Sequence, residues 1–402
     1  MSNEEAVRTA FAKQAEWCVH LGSPFTALLC DLLGRALDRS TRVGRRVLDW
    51  PGQPDSNNDA VPLRFAGGLH ALVRRGRLPG LAVLYPPASL PEPDVLWSAL
   101  DQALRDADAE LAEWLDRTPQ TNEVGRSSAL MAGLLVLTAQ YDRPVALYEL
   151  GPSAGLNLML DRFRFRLGET DAGDPASPLF LQPDWEGASP PAAAVRVVGR
   201  RGVDPHPLDV TDAGDRERLL AYVWPDQQQR LGDLGIALMI AQADPPVIDQ
   251  GDAASWLEAN LALTGAPGVT RVVTHTIAIH YFPPETRRRV ETHLAQVGAA
   301  ATEDSPFAWL RFEFDPAANN LPTLFLTIWP GGEEQKLAVG HPHGRWIRWL
   351  GGAMGGSQPL VATAGQRNGM PLLPVQSQGA IVTLDLINEL SDGDAVTLPV
   401  GT

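Results

Sequence analysis

The sequence predicts an α/β fold: a mostly parallel sheet with helices on both faces, ending in an antiparallel meander and preceded by a helical region. Three observations predict it. Apolar residues recur at helical spacing over residues 1–143, short apolar segments alternate with helical ones after that point, and the last strands follow one another too closely to alternate. Alternation of strands and helices is typical of a parallel sheet covered on both faces.

The composition limits the class of protein and its partners. The chain has 402 residues, 44% of them hydrophobic and 20% charged, which is typical of a globular protein with more than one domain. Its net charge of −15 repels phosphate backbones, so nucleic acid is not expected as a partner. Cys18 and Cys30, the two cysteines, lack metal-ligand spacing, so no metal is expected. The chain carries neither a signal-peptide core nor a run of about 18 apolar residues, which predicts a cytoplasmic protein without a membrane partner.

Residues 1–143 are expected to form a helical domain that caps the sheet or acts as its lid. Phe11, Ala15 and Cys18 fall at helical spacing, and so do Phe25 and Leu29. A stretch rich in proline and aspartate interrupts the pattern. Further helices are expected at Leu63–Arg75, Asp94–Asp116 and Asn122–Tyr141.

Residues 144–351 are expected to form the α/β domain. Val145–Leu150 is a short apolar segment of the kind that forms a buried parallel strand. Further strands are expected at Phe163–Leu167, Val195–Gly199, Val247–Ile248, Arg271–Thr276, Phe307–Phe314, Thr323–Trp329 and Lys336–Val339. Helices are expected between several of them, at Arg216–Trp224, Gln228–Ala243, Ala253–Leu263 and Glu285–Ala299.

The last predicted strands form a meander. Eight residues, 315–322, separate Phe314 from Thr323, whereas a parallel crossover needs a dozen or more. The chain must therefore reverse there and again at Pro330, which returns His341–Gly344 to the edge where the first strand ends. Residues 352–402 are rich in glycine and poor in charge, and we expect a tail or a small β appendage.

The turn after the first predicted strand carries the strongest functional signal. Glu149 is followed by Gly151 and Gly155, which would let the chain turn sharply and bring the next helix close to the strand. Ser153 is placed to cap that helix, whose free amides would face an anion or a carboxylate. Pro152 and Ser153 replace the middle glycine of the dinucleotide pattern, which favours a smaller ligand with an amino-acid head over a pyrophosphate.

This arrangement resembles that of class I S-adenosylmethionine-dependent methyltransferases, which carry an acidic residue, a glycine-containing turn and a helix at this place. A second resemblance rests on segments spread from about residue 120 to 350: Thr121–Arg126, Glu149–Leu158, Asp161–Phe163, Pro207–Val210, Val223–Gln227, His275–Thr276, Trp329–Gly332 and His341–Gly344. In these segments the chain more closely resembles an uncharacterised bacterial family known as domain of unknown function 2332.

The methyltransferase resemblance implies a Rossmann-like fold, S-adenosylmethionine as cofactor and an unidentified small-molecule substrate. It implies acids after the second strand for the ribose and after the third for the adenine. The cofactor-binding residues so implied are Glu149, Gly151, Ser153, Gly155 and Asn157 of the turn, with Asp204, Asp209 and Asp252. The family resemblance also suggests Asn122, Glu123 and Arg126 as a substrate-binding rim.

Three residues are candidates for catalysis. His275 ends the fourth predicted parallel strand, Glu313 ends the fifth, and the meander returns His343 to the same edge. A histidine beside a carboxylate is ordinary equipment for a general base. We therefore predict that these three side chains share one pocket facing the Gly151–Gly155 turn.

Two other functions remain open. Gly151–Gly155 also matches Gly-x-Ser-x-Gly, the nucleophile elbow of serine hydrolases, with Asp252 or Glu313 and His343 following Ser153 in order. Against a hydrolase stand Pro152 in the turn and the lack of predicted strands before it. The long insertion at residues 163–194 departs from the methyltransferase pattern, and the lack of an Asn/Asp-Pro-Pro-Tyr motif at the fourth strand argues against amino-group methylation of the type that uses it. A non-catalytic protein that binds a nucleotide-type ligand is the third possibility.

Overall fold

The first part of the chain is helical, as the sequence predicts. A computed structural model of the chain describes residues 3–56 and 58–351, together with residues 366–367 and 370–371. No strand precedes residue 145 in this described part. The helices there are α1 (Asn3–His20), α2 (Pro24–Ala36), α3 (Arg42–Leu48), α4 (Val61–Arg74), α5 (Pro79–Ala82), α6 (Pro93–Asp106), α7 (Asp108–Trp114) and α8 (Ser127–Tyr141).

Helices α1–α7 enclose a hydrophobic core of their own, in which Phe11, Phe25 and Phe65 are fully buried. Two helix boundaries differ from the predictions. The helix expected at Asn122–Tyr141 begins at Ser127, after a 3₁₀ turn at Val124–Arg126, and the one expected at Asp94–Asp116 is broken at Ala107.

The rest of the described chain alternates between strands and helices. The strands are β1 (Val145–Leu150), β2 (Arg164–Leu167), β3 (Thr170–Gly173), β4 (Phe180–Leu181), β5 (Asp184–Glu186), β6 (Val197–Asp204), β7 (Ile248–Gln250), β8 (Thr270–Thr276), β9 (Phe307–Asp315), β10 (Leu321–Trp329), β11 (Glu333–Gly340) and β12 (Trp346–Trp349). The helices are α9 (Ala213–Ala221), α10 (Gln228–Ala243), α11 (Ala253–Asn260) and α12 (Pro284–Ala299).

Nine of these strands form one mostly parallel sheet in the order β5-β12-β11-β10-β9-β8-β1-β6-β7. Strands β7, β6, β1, β8 and β9 run parallel, whereas β10 is antiparallel to both of its neighbours. The predicted meander is therefore confirmed. In the centre of the sheet, Glu149 lies between Gly202 of β6 and Thr274 of β8.

The insertion after the first turn explains two differences from the prediction. The segment predicted as the strand Phe163–Leu167 stays out of the large sheet and pairs as β2 with β3 and β4 in a separate three-stranded sheet. The strand predicted at Val195–Gly199 is β6, which continues to Asp204. Asp204 consequently ends the strand instead of following it, which sets its carboxylate beside the Gly151 turn.

Apolar side chains cover both faces of the central strands. On one face, Leu147 and Val272 belong to the same core cluster as α8, and on the other, Leu150 and Val273 pack with α11 and α12. Because side chains alternate along a strand, Glu149 points to the face of α8. His275 and Glu313 point to the face of α12.

No helix in the described ranges is long and apolar enough to cross a membrane. The tail or β appendage predicted for residues 352–402 lies largely outside the described residues. Within that range, Gln366–Arg367 and Met370–Pro371 pair as two short antiparallel strands.

Candidate functional site

The turn that follows β1 takes a different form from the one predicted. Gly151, Ser153 and Gly155 all have positive φ angles, of 68°, 59° and 75°. The next segment, Leu156–Arg162, winds as a 3₁₀ helix, and the Ser153 side chain caps no helix. The prediction of an α-helix capped by Ser153 is wrong, because the left-handed residues Ser153 and Gly155 coil the chain tightly before a regular first turn can form.

Most of the amides that were expected to face an anion are used inside the protein. They donate as follows: Gly151 N to Val203 O, Ser153 N to Asp204 Oδ2 and Gly155 N to Pro152 O, each at 2.9 Å, and Leu156 N to Asn122 Oδ1, also at 2.9 Å. Gly155 is moreover a packing glycine, since a Cβ atom there would come within 2.8 Å of Pro246 and Ile248. The turn thus does not present the anion cradle that the sequence predicted.

Glu149 is the most unusual side chain of the turn. It is 1% exposed, and its Oε2 has no hydrogen-bond partner. Burial, followed by the negative charge of Asp204, raises the pKa of Glu149 to about 8, while the Asn157 amide and the charge of Arg126 act in the opposite direction. Near neutral pH this carboxyl group is therefore mainly protonated.

Three other buried atoms near Glu149 also lack partners: Ser153 Oγ, Asn157 Oδ1 and Thr274 Oγ1. Thr274 is the direct neighbour of Glu149 across the β1–β8 pair, and the Asn157 amide acts on the Glu149 carboxyl. We call Glu149, Ser153, Asn157 and Thr274 the Glu149 cluster. Buried polar groups nearly always have partners, so four unpartnered atoms within one cluster indicate a surface suited to a polar ligand.

The three aspartates predicted to bind the cofactor lie in different settings. Asp204 ends β6 beside the turn and accepts hydrogen bonds from Ser153 N and His206 N, each at 2.9 Å. Asp252 caps α11 through Ser255 N and accepts a hydrogen bond from Thr286 Oγ1.

Asp209 is exposed and closes a local turn through the backbone amide and hydroxyl of Thr211. Of the three aspartates, Asp204 is the one in direct contact with the turn.

His275 and Glu313 are brought together as predicted. His275 Nδ1 lies 2.6 Å from Glu313 Oε1, and Trp309 Nε1 donates to His275 Nε2 at 3.0 Å. Because an indole can only donate, Nε2 must be the acceptor and Nδ1 must carry the ring proton. Both ring nitrogens of this fully buried histidine are engaged, an arrangement that favours a positioning role; its catalytic role stays a prediction.

Glu313 anchors the segment that follows β8. Its Oε1 also accepts hydrogen bonds from Ala278 N at 2.9 Å and Ile279 N at 3.3 Å. Burial alone would raise the pKa of Glu313, but the hydrogen bond from His275 and those two amides outweigh burial and lower it.

The anchored segment is strained at Ile277. Its φ angle is 49°, which is costly for a β-branched residue, and such strain is concentrated at functional sites. The segment also lies against the turn, because a Cβ atom on Gly151 would come within 3.1 Å of Ala278 Cβ. Glu313 therefore holds a strained loop next to the Glu149 cluster.

Arg126 links this loop to the end of the meander. Its Nη1 donates to Thr276 O at 3.0 Å and its Nε to Pro342 O at 2.8 Å. Burial lowers the pKa of Arg126, with the charges of Glu123 and Glu313 acting in the opposite direction. The charge of Arg126 also lowers the pKa of Glu149, so its effect extends to the turn.

The His341–Gly344 segment packs directly on the predicted substrate rim. A Cβ atom on Gly125 would lie 2.4 Å from His343 O, so the two backbones approach closely. The His343 ring meets Trp224 edge-on at 6.4 Å, and its buried Nδ1 has no partner. Burial, then the charges of Arg230 and Arg126, holds the pKa of His343 well below its ordinary value.

The three residues predicted to share a catalytic pocket thus fall into two groups. His275 and Glu313 are in direct contact, whereas His343 is connected to them through Arg126, which binds the carbonyls of Thr276 and Pro342. In the rim, Asn122 supports the turn through Leu156 N, and Glu123 pairs with Arg230.

A small cavity lies in the same region. It is lined by Thr121–Val124 and Arg230 and measures about 10 Å³, which is the room that one water molecule needs. Within residues 3–56 and 58–351 no group of three or more histidine, cysteine, aspartate or glutamate side chains could hold a metal ion.

Three residues of this site were not predicted from the sequence: Trp309, Thr274 and Arg230. Trp309 could have been found, because strand alternation places it on the same face of β9 as Glu313, which lies four residues further along the strand. Thr274 could have been found by pairing β8 with β1. Arg230 carries no local signal, since its contact with Glu123 depends on how α10 packs.

Comparison with protein-family models gives a match. A family model described as "uncharacterized protein conserved in bacteria (DUF2332)" matches residues 8–349 of the chain. A search of curated proteins finds no match.

Proposed function

Since the chain belongs to the uncharacterised bacterial family DUF2332, we propose its function from its own site: an S-adenosylmethionine-dependent methyltransferase of Rossmann-like fold that acts on a small molecule. The observation that carries this proposal is the Glu149 cluster. Its four buried side chains each have an unpartnered polar atom, and they lie at the ends of the two central parallel strands.

The order of the strands supports a ligand at this edge. Taken in chain order, β1, β6, β7, β8 and β9 lie in the spatial order 3-2-1-4-5, which is that of doubly wound nucleotide-binding sheets. The order reverses between β1 and β8, and open α/β sheets bind ligands outside the carboxyl ends of the strands at such a point. Glu149 and Thr274 are neighbours across that reversal.

The chemistry of the donors fits a ligand with a cationic head better than one with a phosphate. The turn amides are used internally, whereas Glu149 and Asp204 supply two buried carboxyl groups. S-adenosylmethionine carries an ammonium and a sulfonium charge, and a cation beside Glu149 would give Oε2 a partner and favour its ionised form. When bound, this cofactor supplies an electrophilic methyl group.

We assign the residues as follows. Glu149 and Asn157 bind the amino-acid head, and Asp204 binds the ribose hydroxyls through lone pairs left free by its two amide donors. Asp252, two residues beyond β7, would help to hold the adenine. The helices of residues 1–143 serve as a lid.

His343 is the proton acceptor in this proposal. Its Nδ1 is unpartnered and its pKa is low, so the neutral ring has a nitrogen free to take a proton from the methyl acceptor. His275 and Glu313 are positioning residues that hold the Ile277 loop against the turn.

Binding of S-adenosylmethionine and S-adenosylhomocysteine tests the proposal. At 100 times its dissociation constant, a ligand stabilises the fold by roughly 2.7 kcal/mol, which a thermal-shift assay detects easily. We expect both compounds to stabilise the wild type and Asp209→Asn, whose substitution is exposed, and to stabilise Asp204→Asn far less. Absence of heat and of a thermal shift at millimolar ligand would refute the proposal.

One observation favours a serine hydrolase as the second candidate. Ser153 has a φ of 59°, and the nucleophile of an elbow is also strained. Its hydroxyl, however, is buried and hydrogen-bonded to no base. We expect a fluorophosphonate probe to leave the wild type unlabelled, whereas stoichiometric labelling that is lost in Ser153→Ala would make acyl transfer the leading function.

A further inference from the structure

Arg126 is a partly buried arginine without a carboxylate partner among the described residues. Its hydrogen bonds within the described chain go to the backbone carbonyls of Thr276 and Pro342, and it takes part in none of the ion pairs shorter than 4.0 Å found there. Arginine is almost never buried unless it is paired, because a buried charge needs a counter-charge to offset its desolvation. The guanidinium therefore has capacity for an anion.

The acids around Arg126 are already engaged by other groups. Glu123 Oε2 accepts two hydrogen bonds from the guanidinium of Arg230. Glu313 Oε1 accepts from His275 and from two backbone amides. Glu149 is mainly protonated near pH 7, because its pKa is about 8. None of these three carboxyl groups bonds to Arg126, although the charges of Glu123 and Glu313 act on it.

Two further arginines, Arg230 and Arg345, act on the same place in a chain whose net charge is −15, whereas burial lowers the pKa of both His341 and His343. His343 is influenced by Arg230, Arg126 and Arg345, and the rings of His341 and His343 lie 5.2 Å apart. We call Arg126, Arg230, His341 and His343 the basic recess. Arg126 itself is partly accessible to solvent.

We infer that the basic recess binds an oxyanion, a carboxylate or a phosphate group carried by the small molecule on which the protein acts, with Arg126 as its principal ligand. A guanidinium fork matches the geometry of such groups and binds them bidentately. The anion would hold the substrate with its reacting atom close to the unpartnered Nδ1 of His343.

The inference rests on the proposed function in one respect, since it takes the anion to be part of the methyl acceptor. Binding of the anion itself needs no S-adenosylmethionine. If anions bind at Arg126 while S-adenosylmethionine does not bind at all, the methyltransferase proposal fails and the basic recess stands.

Calorimetry and thermal shift with inorganic phosphate and with malonate, both without cofactor, test the inference. We expect at least one of them to bind the wild type and to bind at least tenfold more weakly to Arg126→Gln. Arg348→Gln, at an exposed arginine paired with Glu186, should bind like the wild type. Selection of phosphate would indicate a phosphate monoester, selection of malonate a carboxylate, and binding of both an oxyanion site without selection.

A second variant, Arg126→Lys, keeps the test usable if Arg126→Gln does not fold. It keeps the positive charge but loses the planar guanidinium, so its affinity for the anion should lie between those of the wild type and Arg126→Gln. If Arg126→Gln does not fold, Arg126→Lys should still bind the anion several-fold more weakly than the wild type. Two outcomes would overturn the inference. One is equal affinity of the wild type and Arg126→Lys for the anions. The other is no binding of either anion to the wild type at about 50 mM, a concentration well above the dissociation constant of a weak, millimolar site.

Discussion

Two glutamates are buried at the carboxyl edge of the sheet in opposite surroundings. Glu313, near the end of β9, receives hydrogen bonds from His275, Ala278 and Ile279, and its pKa is lowered. Glu149, in β1, has an oxygen without a partner, and burial raises its pKa to about 8. Their exposures, 5% and 1%, are similar, so burial does not explain the difference.

The difference lies in what the fold supplies to each carboxyl group. Donors around Glu313 make it part of the scaffold, because its charge holds a strained loop in place. Glu149 costs the fold stability as long as it lacks donors, and a chain tolerates such a cost most readily where a ligand offsets it. The two residues should therefore respond in opposite directions to the same substitution.

The largest effect is expected at Glu313. Glu313→Gln removes the charge that accepts three buried hydrogen bonds, and since each hydrogen bond to a charged group contributes about 1.5–3 kcal/mol, we expect a loss of about 4 kcal/mol. Urea denaturation at pH 7 measures the loss. Because the pKa of Glu313 is lowered in the folded state, its contribution is present above its ordinary value of 4.5 and is lost as the pH falls. If Glu313→Gln were as stable as the wild type, Glu313 would not stabilise the loop as proposed.

The same substitution at Glu149 should stabilise the protein, by about 3 kcal/mol at pH 7, because pH 7 lies about 2.5 pH units above the ordinary pKa of 4.5 and each unit corresponds to about 1.4 kcal/mol. The folded-state pKa is about 8 against an ordinary 4.5, so the folded state holds the extra proton between these values. The unfolding free energy of the wild type should fall as the pH rises through that interval. Glu149→Gln should lack this fall.

Asp315 provides the matched control for Glu149. It is buried as well, but it accepts hydrogen bonds from Lys336 Nζ at 2.7 Å and from Ala317 N at 2.9 Å. Asp315→Asn should therefore destabilise the fold. If Glu149→Gln also destabilised it, the contrast between a paired and an unpaired buried acid would collapse.

The smallest effect concerns the backbone of the loop that Glu313 holds. Ile277 has a φ of 49°, a conformation that costs non-glycine residues roughly 1–2 kcal/mol. Ile277→Gly should therefore be more stable than Ile277→Ala by about 1 kcal/mol, although both lose the isoleucine side chain. Thermal denaturation of the two variants compares them directly, and the opposite ranking would show that the loop carries no such strain.

The sequence predicts the central strands and the meander because their signals are local. Val145–Leu150 is continuously apolar, and the short link after Phe314 permits only a reversal. The pairing of β5 with β12 could not be predicted, because the partners are far apart in the chain and β5 has three residues. Glu149 and the glycine turn were predicted as ligand contacts, and that role remains a proposal.

The form of the site depended on contacts that no local pattern encodes. Asn122 Oδ1 accepts a hydrogen bond from the amide of Leu156, which was predicted to face an anion. Trp309 occupies the second nitrogen of His275, which changes what that histidine can do. Both effects follow from tertiary packing, so the residue types were predictable while their roles were not.

Proton release on binding of S-adenosylmethionine tests the central claim most directly, which is that the unpartnered carboxyl of Glu149 receives a cationic ligand. Titrations at pH 7 in two buffers of different protonation enthalpy measure the protons exchanged. Because a cation lowers the pKa of an adjacent carboxyl group, the wild type should release close to one proton more per bound ligand than Glu149→Gln does. Identical proton exchange in the two proteins, or no binding to the wild type, would contradict the account.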